Sequence, residues 1–145
     1  MADQKHRVAA VQAAPVFLDL DRTIEKAGRL IGEAAHNGAA LVVFPEGFIP
    51  AYPLWVWFIP AGHTHPLREL YAQLHANSVS VPGQAVARLA QAAADHNIAV
   101  AVGVSERNSE ASDTSLFNTL IVFGRDGRVI GKHRKLIPTA GERLI

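Results

Sequence analysis

Three charged side chains have the types and settings that could do chemistry: Glu46, Lys135 and Glu142. Glu46 follows the apolar run Leu41–Phe44 and Pro45, and beyond it stand Phe48, Tyr52, Trp55, Trp57 and Phe58. A carboxylate at the carboxyl end of a buried strand, roofed by aromatics, is where an α/β sheet places a proton-transfer site. Taken alone, Glu46 is equally explained as a turn cap or a surface ion-pair partner. Lys135 precedes Leu136, Ile137 and Pro138 and reads by itself as a solvated lysine, and Glu142 reads the same way. Trp55, Trp57 and Phe58 suit core, subunit contact or substrate wall alike. His63 and His65 form a His-x-His pair with no third ligand at recognisable spacing, so no metal site is expected. Asn118 lies inside an apolar run, where an amide needs hydrogen-bond partners and ordinary structural satisfaction is the default role.

The elements that must position these groups alternate between strand and helix. A first buried strand is expected within His6–Ala13, closed by Pro15, and a helix follows on Leu20, Ile24, Ala27, Leu30 or Ile31, and Ala34. Asp19 or Asp21 can cap its start and Asn37-Gly38 its end. Leu41–Phe44 reads as a second strand, buried on both faces and parallel to the first through a right-handed crossover. Three prolines and two glycines predict an irregular loop from Gly47 to His63. A helix begins near Thr64–Pro66 with Leu67, Leu70, Tyr71 and Leu74 on one face, and another spans about Gln84–His96. Ile98–Val104 reads as a central strand and Ser105–Ser115 as a polar surface loop. Leu116–Phe123 and Arg128–Lys132 flank Gly124-Arg125-Asp126-Gly127, an antiparallel hairpin signal.

Composition narrows the function classes. The chain has 145 residues, 49% hydrophobic and 19% charged, enough for one domain with a core. A net charge of +1 without a Lys/Arg run gives no footprint for nucleic acid or anionic lipid, so a small-molecule partner is favoured. Apolar stretches fall short of the roughly 18 residues a membrane span needs, and Met1–Arg7 lacks the apolar core of a secretion signal. A cytoplasmic location is therefore expected. The chain contains no cysteine, which excludes disulfide and thiolate chemistry from its own residues. Serine-hydrolase, P-loop and dinucleotide-binding motifs are also missing.

The segments FPEGFIPAYPLWVWF and LFNTLIVFGRDGRVIGKHRKLIPTAGER together resemble the nitrilase branch of the carbon-nitrogen hydrolase superfamily, from Val8 to the last residue. The resemblance implies an α/β fold, the α-β-β-α sandwich of the nitrilase type, of which residues 1–145 form the N-terminal part. It implies Glu46 as general base, Lys135 as catalytic lysine and Glu142 as a second glutamate near the site, with Tyr52 and Trp57 expected to bind substrate. It further implies a cysteine nucleophile, which in the family lies a short way beyond the lysine motif and here would lie beyond Ile145.

The chemistry so implied is hydrolysis of a nitrile to a carboxylic acid and ammonia, through a thioimidate and a thioester, with no metal or organic cofactor. A carboxylate is needed to generate the thiolate, and a fixed cation to stabilise charge on the substrate nitrogen. Such a preorganised donor contributes about 3 to 4 kcal/mol, against about 0 to 1 for a surface ion pair. Without a thiol the 145-residue chain is expected to be inactive. Strands lacking a second covering layer are expected to self-associate, and the enzyme to be a homo-oligomer. An amidase or carbamoylase of the same superfamily, or a non-catalytic binding or assembly module, are the alternatives.

Overall fold

The computed structural model describes residues 5–60 and 62–144. Five strands form one mixed sheet in the order β1-β2-β3-β4-β5: Val8–Ala10, Leu41–Val43, Ala99–Arg107, Leu116–Phe123 and Val129–Arg134. The first three run parallel, β4 pairs antiparallel with β3, and β5 pairs antiparallel with β4. Helix α1 (Leu20–His36) crosses from β1 to β2, while α2 (Thr64–Ala76) and α3 (Gln84–Asp95) lie between β2 and β3.

Helix α1 forms where the sequence predicts. Asp19 caps it, its Oδ1 accepting from the Arg22 amide at 3.0 Å, and Gly38 leaves the helix at φ +77°. Its buried face, Ile24, Ala27, Ile31 and Ala34, meets Val86, Leu89 and Ala93 of α3 over Val42, Val100, Val102, Ile121 and Phe123 of the sheet. Each large aliphatic or aromatic side chain buried there contributes about 1.5–3 kcal/mol. A smaller cluster of Leu18, Ala51, Trp55 and Leu74 seats α2 at one end of the sheet.

The structure corrects several sequence-based expectations. The first strand is a three-residue edge strand rather than a buried one, with Val8 55% exposed. In β2 only Val42 is fully buried, while Leu41 and Val43 on the opposite face are half-buried, because the helices cover one face of the sheet. The segment expected as an irregular loop from Gly47 to His63 contains short regular pieces: Ile49 bridges to Val104 of β3, and Leu54–Trp57 is a short 3-10 helix. The largest difference is at Ser105–Arg107, expected in a surface loop and found as the last part of β3, with Ser105 and Glu106 buried. Polar residues continue that strand because it acquires neighbours on both edges, β4 on one side and Val79 on the other, where the Val79 amide donates to Ser105 O at 2.8 Å.

The hairpin forms as expected. Gly127 adopts φ +79°, and the Gly124 amide donates to Arg128 O at 2.8 Å. Exposed apolar side chains collect on and after this hairpin, including Ile130, Leu136 and Ile137. No helix among the described residues is long and apolar enough to cross a membrane.

Candidate active site

Glu46 owes its position to an interruption in the pairing of β2 with β3. The Phe44 amide donates to Ala101 O at 2.8 Å, and the next such bond is from the Ile49 amide to Gly103 O at 3.2 Å. Between them, Pro45, Glu46 and Gly47 arch over Gly103. A Cβ on Gly103 would come within 2.6 Å of Pro45 O, 2.7 Å of Gly47 N and 2.8 Å of Glu46 Cα, so only glycine lets the turn sit this close. Gly47 completes it at φ +57°.

Lys135 continues β5, its amide donating to Asn118 O at 2.8 Å. Glu142 lies in the 3-10 helix Ala140–Leu144, where the Thr139 amide donates to its Oε2 at 2.6 Å. These separate segments converge on one ammonium group. Lys135 Nζ donates to Glu46 Oε1 at 2.8 Å, Thr139 Oγ1 at 2.8 Å and Glu142 Oε1 at 3.1 Å, which uses all three of its donors. The Asn118 amide joins the same carboxylates, donating to Glu46 Oε1 at 2.6 Å and Glu142 Oε1 at 3.2 Å. Asn118 and Thr139 are thus members of the site that sequence reasoning missed. An amide inside an apolar strand was the available signal for Asn118; Thr139 offered none.

The two glutamates differ in setting. The Glu142 side chain is 6% exposed and that of Glu46 is 54% exposed. Burial works against the Glu142 carboxylate, but hydrogen bonds from the Thr139 amide, Tyr52 and Lys135 outweigh it and hold its pKa below the ordinary value. Lys135 is held above its ordinary value, first by the hydrogen bond to Glu46 and then, against partial burial, by Glu142. Tyr52 is raised by burial and by the adjoining Glu142 carboxylate. Glu142 is therefore a fixed anion within the framework, whereas the Glu46 carboxylate is more than half open to its surroundings.

A cavity of about 440 Å³ opens beside this cluster, lined by Lys135, Asn118, Glu142 and Tyr52 together with apolar Leu116 and Phe117. Its volume suits a small organic molecule. Of the two aromatic residues expected to bind substrate, Tyr52 lines the cavity, while Trp57 is 49% exposed, lies outside the lining and hydrogen-bonds the Tyr52 side chain. Trp55 is core, meeting Phe17 edge-on with ring centres 5.9 Å apart. His65 lies on the exposed side of α2, 3.7 Å from Glu69, and no cluster of three metal-ligating side chains occurs among the described residues.

Residues 7–144 match the carbon-nitrogen hydrolase family. The chain belongs to that family. It is 46% identical to the nitrilase of Bacillus sp. (strain OxB-1) over 141 residues, covering 97% of this chain and 39% of the relative. It is 44% identical to the aliphatic nitrilase of Rhodococcus rhodochrous, covering 96% of this chain and 36% of that protein. The carbon-nitrogen hydrolase chain thus spans about two fifths of the length of these curated relatives. Among solved structures, an amidase from Nesterenkonia sp. superposes with a TM-score of 0.65 at 19% identity, over 95% of this chain and 46% of the amidase. The C. elegans NitFhit protein gives 0.67 at 21% identity, over 96% of this chain and 30% of that one. At these identities the likeness establishes the fold: an α/β architecture with a mixed sheet, the N-terminal portion of the nitrilase-superfamily fold.

Proposed function

We propose that the whole enzyme to which this chain contributes is a nitrilase, converting a small nitrile to its carboxylic acid and ammonia. The single observation that supports this most is the convergence of Glu46, Glu142 and Asn118 around the Lys135 ammonium at the edge of a small cavity. Identity above 40% to proteins named nitrilases supports nitriles over amides as substrate.

In this reading the nucleophile is a cysteine outside the 145 residues, since the chain contains none. Glu46 accepts the thiol proton as sulfur adds to the nitrile carbon, and that proton passes to the substrate nitrogen, giving a thioimidate. Lys135, already oriented by three oxygens, stabilises the negative charge developing on nitrogen. Water activated by Glu46 adds to the thioimidate and ammonia departs, leaving a thioester. A second water releases the acid and returns the thiol. Asn118 bridges the two carboxylates through its Nδ2, and Tyr52 forms part of the wall against which the substrate rests. No step calls for a metal or organic cofactor.

The test is turnover by the purified full-length enzyme on a panel of aliphatic and aromatic nitriles and their amides. Release of acid from nitriles, lowered at least ~100-fold in folded Glu46→Gln and Lys135→Ala variants, is expected. Near wild-type hydrolysis in either variant would sink the assignment, and turnover of amides alone would move it to the amidases. For the 145-residue chain by itself we propose no turnover, and self-association through the exposed Leu120, Ile130, Leu136 and Ile137. A monodisperse monomer in size-exclusion chromatography would count against the latter.

A further inference from the structure

Glu106 is the most deeply buried carboxylate among the described residues, and the proposed reaction does not use it. It is 1% exposed, yet its two oxygens are fully engaged. Oε1 accepts from Lys132 Nζ at 2.9 Å and Arg134 Nη2 at 2.8 Å, and Oε2 accepts from Thr119 Oγ1 at 2.7 Å and Arg134 Nε at 3.0 Å. The Arg134 guanidinium also lies over the Phe117 ring at 4.1 Å and reaches Glu110 at 3.0 Å.

Glu106 belongs to β3, Thr119 to β4, and Lys132 and Arg134 to β5, so the cluster joins three strands on one face of the sheet. Because side chains alternate along a strand, the residue beside each member points to the other face. Those neighbours are Ser105, Asn118 and Lys135, which line the candidate cavity. Ser105 pairs with Asn118 in the β3–β4 register, and Thr119 pairs with Arg134 in the β4–β5 register.

What holds β5 in that register is not an apolar face. None of its six residues is fully buried, and its pairing with β4 already contains an irregularity between Val122 and Phe123. Register is weakly specified in a strand with no buried face, and a slip of one residue would carry Lys135 to the far side of the sheet. A buried ionic network adds little net stability over apolar packing, and its best-attested use is to enforce one register.

We propose that Glu106 is a positioning residue, clamping Lys132 and Arg134 on one face of the sheet so that Lys135 and Asn118 meet Glu46 and Glu142 on the other. The inference rests on the proposed role of Lys135, and its test separates the two. In the full-length enzyme, Glu106→Gln should lower kcat about 100-fold, the scale of a misplaced catalytic group, with KM little changed. The triple variant Glu106→Leu/Lys132→Met/Arg134→Leu, an apolar replacement of the whole cluster, should recover the thermal midpoint but not kcat. A crystal structure of either variant should show Lys135 withdrawn from hydrogen-bonding reach of Glu46.

Recovery of kcat together with the midpoint in the triple variant would assign the cluster a purely structural role and overturn the proposal. So would an unchanged Lys135–Glu46 bond in the crystal. Arg134→Lys keeps the charge but breaks the paired bonds, which covers the case of a triple variant that does not fold. It should lower kcat at constant KM, and wild-type kcat in it would also overturn the proposal. If the wild-type enzyme hydrolysed neither nitriles nor amides, the functional reading would fail, and the Lys135–Glu46 geometry in the variant crystals would decide the positioning role by itself.

Discussion

Two carboxylate centres lie back to back across the β3–β5 part of the sheet. On the helix-covered face Glu106 is dry and receives four hydrogen bonds, three of them from cations. On the opposite face Glu46 is more than half exposed and shares one lysine with Glu142. The same residue type thus sits in two different settings. A saturated, buried carboxylate is held in one geometry and stays ionised to lower pH, as suits the proposed fastening role. In the proposed mechanism the open carboxylate beside a fixed ammonium is the one that transfers protons. The difference lies in solvent access and in the number of donors per oxygen, not in the side chain.

The sharpest way to break this contrast is to mutate each centre and read both activity and stability in the full-length enzyme. Lys135→Ala should lower kcat by about 10²–10³-fold, the usual loss for a single preorganised donor. Its effect on the urea midpoint should be the smaller one, since Glu46 is partly exposed and the buried Glu142 keeps its hydrogen bonds from Asn118, Tyr52 and the Thr139 amide. Glu106→Ala should instead cost about 3–5 kcal/mol of stability, because it leaves Lys132 and Arg134 without their buried partner. Equal destabilisation by the two substitutions would erase the distinction.

A finer probe is Gly103→Ala, which touches neither carboxylate. The added methyl must displace the Pro45–Gly47 backbone, for an overpacking cost of about 1–3 kcal/mol, and it moves Glu46 in doing so. Activity should therefore fall further than the change in midpoint explains.

The smallest expected effect is in pH dependence. The cations around Glu106, working against its burial, lower its pKa from 4.5 to about 2. A depressed carboxylate contributes stability that is fully present above the unfolded value and lost as pH falls through the folded one. The urea midpoint should thus decline from about pH 4.5 toward pH 2, and Glu106→Gln should flatten that decline. Glu142, also lowered, acts in the same direction. Lys135 has the opposite sign: its raised pKa gives stability that is present below 10.5 and fades as pH rises past the folded value. A midpoint unchanged across the acid window would contradict the assigned state of Glu106.

Much of the fold was legible because local chemistry and global packing agree. Asp19, the apolar spacing through Ala34 and Gly38 specify α1 without reference to anything distant, and Asp126-Gly127 does the same for the hairpin. Ser105–Arg107 was not legible. Polar residues at a strand's end look like a loop until β4 and Val79 supply partners for their backbone, and Glu106 looks solvated until Lys132 and Arg134 arrive from β5. For the site, Glu46, Lys135 and Glu142 were found through a motif resemblance rather than from spacing, and Trp57 was expected at a substrate wall that it does not line.

By itself, the sequence determined which residue types were available: an acid after an apolar strand, a lysine after a hairpin, a second acid close behind, and no thiol. Periodicity and turn residues also determined the order of strands and helices, since those signals act over a few neighbouring positions. Only the tertiary structure decided which acid is open and which is fastened. That depends on strand alternation and on how many donors reach each oxygen, and those donors come from strands that are adjacent in space but distant along the chain.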